Sequence, residues 1–552
     1  SYLVLAHQND DLSENTAKRL RERGIDCTVN DFGQLSGAPL ADNIICCLGN
    51  PEGDGAQESW APLSYGLAVL RHLEQQQASA RLWWVTRKAV ALSADSVCDP
   101  DQYAVWGAGR TLLHEYPDTY CTLIDLGQGA DADALARAVT RDDGEREMVL
   151  TAEGRYVPRL EVVKNTGDSR VFSQPGTVLI SGGLGAVGLR IASCLADTGV
   201  AHLLLTGRRG METPGAPEAV AALEQKGVKV TVVAADIADP RVVAQLLASV
   251  PPALPLQGVV HAAGVLDDAI LLDHDDVRLA NLFRAKVQGA RNLDVQTRGL
   301  PLDFFVLFSS IAGTLGSAGQ GGYAAANACL DAIASNRRRL GLAGQSLAWG
   351  LWTDGDERAL GLASGLDAAQ RARLQKTGIG VITPELGERL FVRALGHDGD
   401  NLFLAPIDLL QMKSHFDVLI PSLWQNLLPA DDTPTRSTSG QSLLRDLASL
   451  PESARLNTVI KAVCSEIINV MSARASDMHI NRPLSEIGLD SLTAVELRNA
   501  LRKRTGKKLP ATLAFDYPTI ADIAAYILRL LTEELSRDNM SNSFCVDTLI
   551  HS

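Results

Sequence analysis

The stretch Thr177-Val178-Leu179-Ile180-Ser181-Gly182-Gly183-Leu184-Gly185-Ala186-Val187-Gly188 decides how this chain folds. Its first five residues read as a buried strand, and the helical pattern behind the glycines carries Ile191 and Leu195. Gly183, Gly185 and Gly188 stand between the two. Small residues there let backbone N–H groups and a helix N-terminus reach a pyrophosphate. About twenty residues past Gly188, where a carboxylate would hold a ribose 2′-hydroxyl, the chain has Thr206-Gly207-Arg208-Arg209. Two guanidinium groups suit a 2′-phosphate instead, so the pattern favours NADPH over NADH.

Working outward, short apolar runs alternate with amphipathic stretches twice over, the pattern of wound α/β domains. The second series gives seven candidate strands: 177–181, 202–206, 228–235, 258–261, 304–308, 346–349 and 402–405. The first series includes 2–6, 43–48, 81–86 and 122–126, then a hairpin of 148–152 and 155–162 around Glu153-Gly154. Its first strand runs into His7-Gln8-Asn9-Asp10 with no glycine loop, so no nucleotide is expected there. The polar run from Pro429 to Gln441 reads as a linker. Beyond it, Leu456 to Met471, Leu492 to Leu501 and Ile520 to Leu531 predict the three main helices of a small bundle.

The chain has 552 residues, enough for three or four domains at roughly 150 residues each. With 46% apolar and 21% charged residues it is globular, and a net charge of −14 argues against a nucleic-acid partner. Nine cysteines without a Cys-x-x-Cys pattern imply a reduced, cytoplasmic setting and no metal site. Residues 304–330 are uncharged but hold five glycines among polar residues, so no membrane span is expected. No signal segment opens the chain, and a start at Ser1 suggests an excerpt of something longer.

Tyr323 and Asn327 stand four residues apart in a helix-forming run and share a face, while Ser309-Ser310 ends the strand 304–308. A Tyr, a Ser and a Lys beside a nicotinamide supply a proton donor, a second hydrogen bond to a carbonyl and a nearby charge. Lys286 is the candidate cation, expected to lower the phenol's titration by about one to three pH units. Leu489-Asp490-Ser491-Leu492 opens the bundle's second helix and leaves Ser491 at an exposed helix start.

With these motifs, and with His261-Ala262-Ala263-Gly264 and Trp349-Gly350-Leu351-Trp352, the chain resembles the ketoreductase and acyl carrier portion of a modular type I polyketide synthase. The resemblance implies two Rossmann-like subdomains of the short-chain dehydrogenase type, the first degenerate, followed by a small all-α carrier bundle. Its boundaries are 1–165 for the structural subdomain, 166–425 for the catalytic one, 426–444 for a linker, 445–535 for the carrier and 536–552 for a tail. Trp83-Trp84-Val85-Thr86-Arg87 and Val105-Trp106-Gly107-Ala108-Gly109-Arg110 are similar to the usual text of the degenerate half.

By the same resemblance, Tyr323 is the proton donor, Ser310 its partner on the β-carbonyl, and Lys286 and Asn327 complete a tetrad. Cofactor contacts fall on Gly182, Gly183, Leu184, Gly185, Ala186, Gly188, Arg208, Arg209, Asp236, Ile237, Ala262 and Gly264, with Asp236 beside the adenine. Leu266, Asp267 and Asp268 resemble the mark of reductases giving a D-configured (B-type) alcohol. The Trp that marks the opposite group, eight residues before the Tyr, is Leu315 here. Read locally, Leu266-Asp267-Asp268 is also a helix N-cap ahead of Ala269-Ile270-Leu271. A lid is expected near 353–377.

Ser491 matches the carrier serine that bears 4′-phosphopantetheine, followed by Glu496, Arg498, Arg502, Lys503 and Arg504, more basic than in free-standing carriers. Expected partners are a carrier-bound β-ketoacyl substrate, upstream ketosynthase and acyltransferase domains and a phosphopantetheinyl transferase. The short step from residue 164 to the cofactor strand leaves no room for an enoyl reductase, so the module should stop at the hydroxyl unless a dehydratase lies upstream. Two other readings stand beside this one: an inactive scaffold presenting a carrier, and a fatty acid synthase fragment.

Overall fold

The computed structural model describes residues 1–7, 10–37, 39–49, 58–92, 96–163, 175–354, 377–415, 421–428, 443–444, 446–448, 450–471, 478–489, 491–510 and 512–532. The expected linker and lid lie mostly outside these residues, and the tail wholly so. The described residues up to 428 form one compact unit, and those from 443 onward form another.

The first unit holds two seven-stranded sheets. One comprises β1 (Tyr2–Ala6), β2 (Cys27–Asp31), β3 (Asn43–Cys47), β4 (Arg81–Arg87), β5 (Thr122–Leu126), β6 (Glu147–Leu150) and β7 (Arg155–Tyr156), in the order 2-1-3-4-5-6-7. Around it run α1 (Asp11–Glu22), α2 (Ala61–Gln75), α3 (Pro100–Glu115) and α4 (Ala132–Val139). The strand β2 has no counterpart in the apolar pattern, because Thr28, Asn30 and Asp31 are polar and the strand lies on the sheet's edge. The hairpin at Glu153-Gly154 forms, but its second strand is only two residues long. Pro158 has no N–H for the ladder, and the chain then leaves the sheet, Leu160 N–H donating to the Leu423 carbonyl at 2.9 Å.

The other sheet is parallel throughout: β8 (Thr177–Ser181), β9 (His202–Gly207), β10 (Lys229–Ala234), β11 (Leu256–His261), β12 (Phe304–Ser310), β13 (Gln345–Trp349) and β14 (Asn401–Leu404), ordered 10-9-8-11-12-13-14. All seven strands sit where the sequence placed them, with ends moved by one or two residues. Helices α5 (Ala186–Asp197), α6 (Ala216–Gln225), α7 (Pro240–Ala248), α8 (Asp276–Phe283), α9 (Gly289–Thr297), α10 (Ile311–Leu315), α11 (Gly321–Arg339), α12 (Pro384–Leu395) and α13 (Leu409–His415) belong to this half. Helices cover both faces, so a central strand such as Val178-Leu179-Ile180 is buried at every position, which is why it reads as an unbroken apolar run. Strand order reverses between β8 and β11, and the crevice at their carboxyl ends is where such sheets bind ligands.

The halves join through α3 and α11. An ideal Cβ on Gly107 would lie 2.3 Å from the Ala324 carbonyl oxygen and 2.9 Å from the Ala325 Cα, so the two backbones meet without an intervening side chain. Trp106 anchors α3 to its own sheet by donating to Thr86 Oγ1 at 3.0 Å. Near the amino end of α3, Arg291 pairs with Asp101 and donates to Ser59 Oγ, adding polar bonds across the same seam. The uncharged segment 304–330 is the interior of this arrangement: β12, α10 and the first turns of α11. Among the described residues no helix is long and apolar enough to cross a membrane.

The second unit is helical: α14 (Glu452–Met471), α15 (Ser491–Thr505), α16 (Leu513–Asp516) and α17 (520–532). Val463, Ile467, Leu497, Leu501, Ile523 and Ile527 form its core.

Gly107→Ala should lower the stability of the first unit by about 1–3 kcal/mol, since the added methyl must displace backbone and outweighs the gain in helix propensity. A lower urea midpoint would show it; an unchanged or higher midpoint would mean the seam can open to admit the methyl.

Candidate active site

The glycine loop is shaped by contacts that exclude side chains. Gly182 has φ +70° and sits against the Ala262–Ala263 peptide, while a Cβ on Gly188 would fall 2.2 Å from the Gly182 carbonyl oxygen. Gly185 precedes α5 in extended conformation, no side chain caps the helix, and both Gly185 and Ala186 are exposed. The result is an open cradle at a helix N-terminus, which fits a dinucleotide pyrophosphate. Leu184 points into the core, so only its backbone is available to a cofactor. Ala262 and Gly264 are half-buried on the segment leaving β11.

Arg208 and Arg209 are exposed just past β9, beside the cradle. Asp236 is held by Arg284 at 2.7 Å, which with that hydrogen bond first and the Arg208 charge as a lesser cause keeps its carboxyl below the usual range. Ile237 is buried against Gly289, so like Leu184 it can offer only backbone.

His261, fully buried at the end of β11, ties the crevice together. Its Nε2 donates to the Lys286 carbonyl at 2.8 Å, and since a carbonyl can only accept, Nδ1 receives the Ser181 hydroxyl at 2.7 Å. Burial pushes its pKa down to about 4, so the ring is neutral at physiological pH.

Ser310, Tyr323, Lys286 and Asn327 come together beside this crevice. Ser310 ends β12, and its Oγ accepts the Ala312 N–H at 3.2 Å and so also caps α10. Tyr323 is half-buried rather than a surface aromatic. Lys286 is 5% exposed, donates to the Phe308 carbonyl at 3.1 Å, and has Nζ 5.1 Å from the centre of the Tyr323 ring. It lies in a π-turn, residues Arg284–Gln288, between α8 and α9. Such bulges often mark functional positions. Asn327 donates to the Tyr323 carbonyl at 2.8 Å, and its buried Oδ1 has no protein partner.

The electrostatics differ from the sequence expectation at Tyr323. Burial pushes the phenol up, outweighing hydrogen bonds from Asn327 and Ser310, and Lys286 lies over the ring rather than on the hydroxyl. The phenol therefore stays protonated at neutral pH, as a proton donor must. Burial also drives Lys286 down to about 8, opposed by the charge of Asp331. Asp331 was not singled out from the sequence. It is one further helical turn along the face of Tyr323 and Asn327, buried, bonded to the Ser346 hydroxyl at 2.6 Å, and raised to about 6 by burial. Only its i, i+4, i+8 spacing could have flagged it.

The segment Leu266-Asp267-Asp268 is not a helix cap. Only a short 3₁₀ turn, Leu271–Asp273, follows it, and the aspartates are used elsewhere. Asp267 is gripped by Arg278 through bonds of 2.6 and 3.0 Å, and Asp268 accepts from Gln320 at 3.2 Å.

In the second unit, Ser491 is the first residue of α15. Arg498 is 4% exposed and Arg504 pairs with Glu466, so the basic character of this helix on the outside is less than the sequence implied. Among the described residues no cluster could hold a metal.

Comparison with known proteins agrees with this geometry. Residues 176–354 match the model of the KR domain, 458–527 that of the phosphopantetheine attachment site, and 14–160 that of the Rossmann fold domain of polyketide synthase extender module SpnB. The chain is 38% identical over 480 residues to polyketide synthase GfsA of Streptomyces halstedii, covering 84% of this chain and 6% of that protein. A solved structure of A-type ketoreductases from a modular polyketide synthase is 34% identical, with a TM-score of 0.68, covering 77% of this chain and 92% of that one. A C2-type ketoreductase is 29% identical with the same TM-score, covering 77% and 96%. The chain spans 6% of the length of polyketide synthase GfsA and 30% of that of pikromycin polyketide synthase component PikAIII of Streptomyces venezuelae, to which it is also 38% identical over 84% of its own length.

Lys286→Met keeps the stem and removes the buried charge. The depression from 10.5 to about 8 corresponds to about 3 kcal/mol. Between those pH values the unfolded chain holds a proton that the folded one has shed, so wild-type stability rises with pH across the window. The variant should therefore unfold at a higher denaturant midpoint than wild type at pH 7, with the gap closing toward pH 10.5. A gap that does not change with pH would show that the charge is not costing stability.

Proposed function

The chain belongs to the ketoreductases of modular polyketide synthases and carries a phosphopantetheine-type carrier region, and from that premise we propose that it reduces a β-ketoacyl thioester to the β-hydroxyacyl thioester with NADPH. The observation that carries this reading is the meeting of Ser310, Tyr323 and Lys286 beside an open glycine cradle at the switch point of a parallel sheet.

The cradle at Gly185 and the N-terminus of α5 hold the pyrophosphate, and Arg208 and Arg209 receive the 2′-phosphate. Bound NADPH supplies a hydride to the β-carbon. Ser310 and Tyr323 hydrogen-bond the β-carbonyl oxygen and orient it. As negative charge develops on that oxygen, the Tyr323 O–H bond breaks and its proton forms the new alcohol. Lys286, still largely protonated below about pH 8, stabilises the phenolate left behind, which regains a proton from solvent. Each turnover thus delivers one hydride, which carries both electrons, to the carbon and one proton to the oxygen.

Ser491 carries 4′-phosphopantetheine, installed by a phosphopantetheinyl transferase, and presents the substrate made by upstream ketosynthase and acyltransferase domains. A tethered carrier gains effective concentration and needs little affinity for its reductase. The protein works in the cytoplasm. The alcohol is D-configured, a proposal resting on Leu266, Asp267 and Asp268 and on Leu315 in place of a Trp. The backbone does not discriminate here, since A-type and C2-type structures match it with equal TM-scores.

With a small β-ketoacyl thioester, loss of NADPH absorbance should report turnover, and Tyr323→Phe should lower kcat by about 10²- to 10⁴-fold with cofactor binding retained. Full activity in that variant would overturn the assignment of the proton donor. Replacing Arg208 and Arg209 by Ala should raise the KM for NADPH by on the order of ten-fold or more while leaving that for NADH nearly unchanged. Equal effects on both cofactors would remove the 2′-phosphate from these residues.

A further inference from the structure

Glu115 is the last residue of α3, is fully buried, and comes from the half of the molecule without a glycine loop. Its two carboxylate oxygens are used on two different segments. Oε1 accepts the Gly319 N–H at 2.8 Å and Oε2 accepts the Leu271 N–H at 2.7 Å. Gly319 lies in the connection that leads into the helix of Tyr323. Leu271 ends the segment that leaves the cofactor crevice at Ala262 and carries Leu266, Asp267 and Asp268. The first segment runs directly into the helix of Tyr323, and Asp268 on the second is near enough for its charge to act on the Tyr323 phenol, so the pair is placed to form the two walls beside that residue.

Other bonds make the clamp specific. Ala269 N–H donates to the Gly319 carbonyl at 2.8 Å, and Gln320 Nε2 reaches Asp268 at 3.2 Å, joining the walls directly. The last turns of α3 also template one wall along its length. Arg110 donates to the Gly313 carbonyl at 2.7 Å, Thr111 Oγ1 accepts from Ser317 N–H at 3.2 Å, and His114 Nε2 donates to the Leu315 carbonyl at 2.9 Å. Gly316, at φ +75°, has no room for a Cβ because the Arg110 carbonyl group occupies the space. Glu115 is the α3 residue that extends this grip to the opposite wall.

A carboxyl group in this setting can serve two N–H donors at once, one on each oxygen. A carboxamide of the same shape cannot, because its NH₂ would face one of the two N–H groups. We propose that Glu115 is a positioning residue that sets the separation of the two walls of the substrate cleft and so fixes the orientation in which the β-ketone meets Tyr323. This rests on the reductase reading above. The glycine cradle and Arg208-Arg209 lie on other elements, and Ala262 and Gly264 stand at the end of their segment remote from Leu271, so loss of the clamp acts on substrate placement far more than on cofactor binding.

The test uses the full chain, a small β-ketoacyl thioester, NADPH binding by fluorescence, and chiral analysis of the product, with Glu115→Gln and Gln320→Ala beside wild type. Glu115→Gln should keep its NADPH affinity while KM for the thioester and the minor stereoisomer both rise by on the order of ten-fold, since sub-ångström placement governs such selectivity. Gln320→Ala, which cuts one cross-link at a less buried position, should move both quantities in the same direction by a smaller factor. If Glu115→Gln fails to fold, Gln320→Ala decides alone. Wild-type KM and product ratio in every variant that binds NADPH overturn the proposal while the reductase reading stands. No hydroxyacyl product from wild type overturns that reading, and the proposal with it.

Discussion

A backbone carbonyl occupies the space where residue 107 would otherwise carry a side chain, and much of the site depends on that contact. Because Gly107 admits the Ala324 carbonyl, α3 and α11 run close enough for the last turns of α3 to reach the backbone of 313–319. The opposite requirement falls on α11, whose Ala324, Ala325 and Ala326 are small and fully buried. With the backbone at Ala324 and Ala325 committed to the seam, the helix cannot rotate, and the directions of Tyr323, Asn327 and Asp331 are fixed with it. Packing at native density leaves few alternatives, so a seam built from small residues acts as a rigid reference for the chemistry.

The second constraint is electrostatic. A lysine with 5% exposure would ordinarily lose its charge, and here three features hold it near the point of losing it. The Phe308 carbonyl accepts from Nζ, the Tyr323 ring offers its negative face, and Asp331 supplies a charge through the interior. The backbone around the lysine is fastened separately, by the neutral His261 bridging Ser181 and the Lys286 carbonyl. Side-chain position and main-chain position are thus set by different partners. The π-turn is what lets Lys286 enter the interior from between α8 and α9.

How much of this the sequence disclosed follows from the range of the interactions. Parallel strands buried on both faces write themselves as apolar runs, so all seven strands of the second sheet were legible, as was the glycine loop between β8 and α5. Tyr323 and Asn327 were legible because helical spacing is local. The edge strand β2 was not, since Cys27-Thr28-Val29-Asn30-Asp31 lacks an apolar face, and Pro158 cut short a strand that alternation alone would have extended. Asp268 reads locally as a cap because its true partner, Gln320, is 52 residues away. The direction of the Tyr323 titration was misjudged for a similar reason: burial is a property of the assembled fold, and it outweighs the neighbours that the text suggests. Glu115 is beyond any local pattern, its two partners lying 156 and 204 residues along the chain.

The clamp at Glu115 bears on how such enzymes can be recombined. The segment 176–354, which matches the KR domain, contains the glycine cradle, Tyr323 and both segments that Glu115 joins, and looks like a transplantable cassette. Its walls, however, take their spacing from a carboxylate and its neighbours on α3, outside that segment. A chimera joined at residue 176 would set one enzyme's cleft on another enzyme's template, and any mismatch would surface as mixed stereoisomers from a protein that still folds and binds its cofactor. The natural unit of exchange is therefore the pair of halves together, cut before β1 and after Leu428.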